Sequence, residues 1–83
     1  MGMVCAKIDV IVCAMADSGL PPAKIAELAD VNVNIIYRMR KGYLVKLENF
    51  GRVCHALGLS SKDVIDFEKT ERYQNRGKEG KMK

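Results

Sequence analysis

A chain of 83 residues is long enough for one domain with a modest core. Its hydrophobic fraction of 48% excludes wholesale disorder, and two prolines with few β-branched runs favour helices over a sandwich or barrel. The net charge is +4, and the three cysteines (Cys5, Cys13 and Cys54) form no CxxC pair, which argues against a disulfide scaffold and for a reducing compartment.

Residues 3–17, "MVCAKIDVIVCAMAD", place Val4, Ile8, Ile11, Val12 and Met15 at helical spacing and predict a first helix. Lys7 and Asp9 interrupt its apolar character, and it is too short to span a bilayer. A soluble, cytoplasmic protein is therefore expected. The run "VIVC" is more apolar than one buried stripe requires, which marks Val10, Ile11 and Val12 as a candidate partner surface.

"SGLPP" breaks the chain at Gly19, and Pro22 suits the first position of a second helix, "PAKIAELA", with Ile25, Ala26 and Ala29 inward. A turn at residues 29–32 leads to a third helix with Asn32 as its N-cap and Gly42 as its stop. "YLVK", residues 43–46, reads as a short loop. A fourth helix is expected over 47–58, with Leu47, Phe50, Val53, Cys54 and Leu57 as its stripe. Ser60 is expected to cap a fifth helix running to Glu68, with Asp63 in a capping-box position. Residues 69–83 lack an apolar period and read as a fraying helix end passing into a disordered basic tail.

The charge is polarised. Residues 1–30 carry two cations against four anions, net −2, and residues 53–68 carry Lys62 against three anions, also −2. Residues 31–52 carry five cations against Glu48 alone, net +4, and residues 69–83 carry six against two, again +4. A central basic element and a basic tail favour a polyanionic partner, although a solvated surface with a solubilising tail gives the same balance.

At about 100° per residue, the third helix puts Val33, Asn34, Tyr37, Arg38 and Lys41 on one face and Ile35, Ile36 and Met39 on the other. The outer face has the chemistry to read DNA. Asparagine pairs bidentately with adenine, arginine with guanine, and valine touches the thymine methyl group. Arg40 and Lys41 at the helix end suit phosphates. Two short helices around a tight turn are also the sequence sign of a helix-turn-helix, with Val31 filling the angle between them.

The matches Gly19-Leu20, Ile25-Ala26, Val31-Asn32, Ile36, Arg38-Met39, Gly42 and Ala56-Leu57-Gly58 keep the order and spacing of a known pattern. Over residues 4–68 the chain resembles the lambda-repressor-like (Cro-type, xenobiotic-response-element) helix-turn-helix regulators of bacteria. The resemblance implies an all-α, five-helix domain over residues 1–68 and a flexible basic tail over 69–83. It implies a sequence-specific, duplex-DNA-binding regulator, a repressor that acts as a homodimer, and the apolar excess of the first helix offers Val10, Ile11 and Val12 as the dimer surface. Base contacts would come from Val33, Asn34, Tyr37 and Arg38. Backbone contacts would come from Lys24, Asn32, Arg40, Lys41, Tyr43 and Lys46. Three positions depart from the family: Pro22 replaces a glutamine that touches phosphate and base, Asp30 replaces a turn glycine, and Met15 or a neighbour replaces a first-helix cation.

Cys54-His55 has no second ligand pair at metal spacing, and Cys5 and Cys13 lie about 12 Å apart along a helix, so buried thiols are expected rather than a site. "GKEGK" at 77–81 lacks a P-loop's ending. No enzyme, metal, cofactor, small-molecule ligand or membrane partner is expected. The rival reading is a protein-interaction module on the same fold, such as an antitoxin or accessory regulatory partner.

Overall fold

Val4, Cys5 and Ala6 are buried in succession, at 0, 0 and 1% exposure. A surface helix hides one stripe, not three consecutive residues. In the computed structural model, which describes residues 2–73, this segment is extended. Strand β1 (Met3–Val4) pairs antiparallel with β2 (Val45–Lys46), Met3 opposite Lys46 and Val4 opposite Val45. Ala6 then forms a bridge with Ile65, and the Lys7 amide donates to the Val64 carbonyl at 2.7 Å. The helix expected over 3–17 thus starts only at Ile8, and "YLVK" supplies a strand rather than a plain loop. Both differences have one cause: each short strand is satisfied by a partner some forty residues away.

The rest is mostly helical. Helix α1 (Ile8–Ser18) buries Ile11 and Met15, whereas Ile8 and Val12, expected on the same stripe, are 40 and 39% exposed. Helix α2 (Pro22–Ala29) opens on proline as expected and buries Ile25, Ala26 and Ala29. Helices α3 (Val33–Arg40) and α4 (Leu47–Ala56) follow, and α4 buries Phe50, Val53 and Cys54 while leaving Leu47 exposed. The core gathers around Phe50, Ile11, Ile25, Ile36 and Met39, with Val31 packed against its edge.

The expected fifth helix is two. Helix α5 (Ser61–Val64) is a single turn, after which Ile65 turns extended to meet Ala6. Ser60 makes no side-chain cap; its carbonyl accepts from Asp63 N–H at 3.0 Å instead. Asp66 starts helix α6, residues 67–73, with its carboxylate accepting the Lys69 amide at 2.9 Å. Thr70 on α6 is fully buried. The fold therefore extends past residue 68 to at least residue 73, and the remainder of the expected tail, 74–83, lies outside the described residues. Among the described residues no helix is long and apolar enough to cross a membrane.

Candidate nucleic-acid interface

The turn before α3 is closed by backbone geometry. Asp30 adopts the left-handed conformation, φ 57° and ψ 48°. Its amide donates to Glu27 and that of Val31 to Ala26 at 3.0 Å, the double bond of a Schellman stop. Aspartate tolerates this region better than most side chains because it is short and polar. Arg52 on α4 adds a long 3.4 Å contact to the Asp30 carbonyl.

Asn32 then starts α3, its Oδ1 accepting the Asn34 amide at 2.9 Å. Ile36 and Met39 are fully buried and fasten α3 to the core, while Ile35 is half-buried. Val33 is also half-buried and packed on the core, so it presents only part of its surface outward. Asn34, Tyr37, Arg38, Arg40 and Lys41 are exposed. Gly42 ends the helix with a second Schellman stop: its amide donates to Met39 at 3.1 Å, and that of Tyr43 to Arg38 at 2.9 Å.

This stop folds the following loop back under the helix. The Arg38 guanidinium donates from Nε and Nη2 to the Leu44 carbonyl, at 3.2 and 2.8 Å, and lies 5.8 Å from the centre of the Tyr43 ring. Tyr43 is 47% exposed, and Lys46 leaves the loop exposed on β2. The Arg38–Leu44 tie has no sequence signal, because the acceptor is a backbone carbonyl whose position depends on the turn.

Lys24 is exposed in the first turn of α2 and sits 3.8 Å from Glu27. An exposed pair of this kind is worth little, so the lysine remains available to an anion. The expected dimer surface does not hold together. Ile11 is fully buried and Val10 packs against the core, which leaves only Val12 on the outside. The helix is rotated so that, within "VIVC", Ile11 alone faces fully inward. Of the three thiols, Cys5 and Cys54 are buried as expected, but Cys13 is exposed. No family model, curated protein or solved structure matches the chain.

Proposed function

We propose that the protein is a sequence-specific DNA-binding regulator of the lambda-repressor-like kind, in which α2, the Asp30 turn and α3 act as a helix-turn-helix. Helix α3 enters the major groove with Asn34 and Tyr37 toward base edges and Val33 beside them. Arg40, Lys41, Tyr43, Lys46 and Lys24 meet the backbone, and the Asn32 side-chain amide donates there too. Occupying an operator blocks transcription sterically. The observation that carries this reading is the division of α3: Ile36 and Met39 are wholly buried, while its polar and cationic residues all face out.

Selection of bound duplexes from a random pool tests it. A recurrent motif of a few base pairs is expected, and recovery of unselected sequence at every salt concentration contradicts it. A homodimer on two half-sites about one DNA turn apart would show as a repeated motif at that spacing.

A second reading, a protein-interaction module, is favoured by the exposed pair Ile8 and Val12, one turn apart on α1. Val12→Glu would abolish partner binding under this reading and leave duplex binding intact under the first.

A further inference from the structure

Long side chains on a helix ordinarily lean toward its N-terminus. Arg38 instead reaches six residues forward, giving two of its N–H groups to the Leu44 carbonyl, with its guanidinium 5.8 Å from the centre of the Tyr43 ring. A recognition helix reads base edges with its N-terminal residues, and a bidentate guanine contact needs the arginine fork aimed at those edges. The Arg38 fork is turned toward the loop at the opposite end. Asn34 lies one turn nearer the N-terminus and is exposed, and its side-chain amide has no hydrogen bond among the described residues.

Resting on the DNA-reading proposal above, we infer that Arg38 is a positioning residue rather than a base reader. It holds residues 43–46 against the end of α3, so that Tyr43 and Lys46 are presented to the backbone together. Discrimination then falls to Asn34, whose amide matches adenine, and to the apolar surfaces of Val33 and Tyr37, which match a thymine methyl group. The preferred half-site is centred on A·T pairs read through adenine and requires no guanine.

The test uses the full chain, a random duplex pool, and the variants Arg38→Ala, Arg38→Lys and Asn34→Ala. The wild type selects an adenine with no invariant guanine. Asn34→Ala loses discrimination at that adenine by roughly 5- to 150-fold. Arg38→Ala weakens every duplex by a similar factor, about tenfold, and leaves the selected motif unchanged. Arg38→Lys stays close to Arg38→Ala, because a compact ammonium lacks the planar fork that gives two N–H groups to the Leu44 carbonyl from beside Tyr43. In the free protein, Arg38→Ala also quickens amide exchange at Tyr43, whose N–H donates to the Arg38 carbonyl, without changing the middle of α3.

A guanine preference that disappears with Arg38→Ala overturns this assignment alone. So does full rescue by lysine, or unchanged exchange in the loop. A wild type that holds no duplex overturns the DNA reading itself and this assignment with it.

Discussion

The amide of Cys5 donates to the Thr70 hydroxyl at 2.9 Å, in a buried contact across 65 positions of sequence. Beside it, Asp66 N–H donates to the Cys5 carbonyl at 2.8 Å. Cys5 therefore closes the fold, joining the first strand to the last described helix. Thr70→Val keeps the side-chain shape and removes the acceptor, leaving a buried N–H unpaired. The expected loss is about 1–3 kcal/mol, a large share of the total for a domain of this size. Urea denaturation measures it. An unchanged midpoint would show that the contact contributes nothing.

Gly42 is doubly constrained. Its φ is +75°, and a Cβ there would lie 2.5 Å from Lys69 Nζ and 2.9 Å from Ile8 Cδ1. Both atoms end flexible side chains, so steric relief is cheap, and the backbone conformation remains the main cost. Gly42→Ala is expected to lower stability by about 1–2 kcal/mol. Combining it with Ile8→Ala should recover only a minor part. Full recovery in a thermal melt would mean that the clash, not φ, sets the cost.

Asp30 occupies the position where a glycine costs least. Asp30→Gly should be neutral or stabilising by up to about 1 kcal/mol, and Asp30→Val destabilising by about 1–2 kcal/mol, since a β-branched residue resists positive φ. The order of melting temperatures, glycine at or above aspartate and valine lowest, checks this.

The cysteines divide by burial. Burial pushes the Cys5 thiol up, opposed by its hydrogen bond with Thr70 and the Lys69 charge, with Asp66 adding slightly to the rise. Burial likewise raises Cys54, against a hydrogen bond with Ser61. In the unfolded chain thiols ionise near the usual pKa of about 8.5. As pH rises through that value the unfolded state loses protons first, so stability is complete below it and declines above it until the folded thiols ionise. In native protein a thiol reagent should modify Cys13 quickly and the other two only on unfolding. Three equally fast thiols would contradict the buried placement.

Local signals in the sequence carried the α2–α3 unit. Pro22, Asn32 and Gly42 each act within a few residues of themselves, and the 3.6-residue period found Ile36 and Met39. What the sequence hid depended on distant partners. Val4 to Ala6 looked helical because nothing local announces Val45 or Ile65 as a pairing edge. The phase of α1 was likewise undetermined: "VIVC" offers several faces, and only the covering elements decide that Ile11 goes in and Val12 out. The break at Ile65 follows from its bridge to Ala6, and it converts one expected helix into α5 and α6. In the candidate site, periodicity marks Val33, Asn34, Tyr37, Arg38 and Lys41 as the outward set; the structure exposes the last four but half-buries Val33 against the core, and the Arg38–Leu44 tie has no local signal at all.

In the proposed complex, α3 and its flanking cations hold duplex DNA through phosphates as well as bases. The most direct test is the affinity for a labelled duplex as a function of salt. If Lys24, Arg40, Lys41 and Lys46 each neutralise one phosphate, the log–log slope is about −3.6, and affinity falls about a hundredfold between roughly 50 and 200 mM salt. Binding that does not respond to salt, or no binding to any duplex at the low end, would contradict DNA binding by α3.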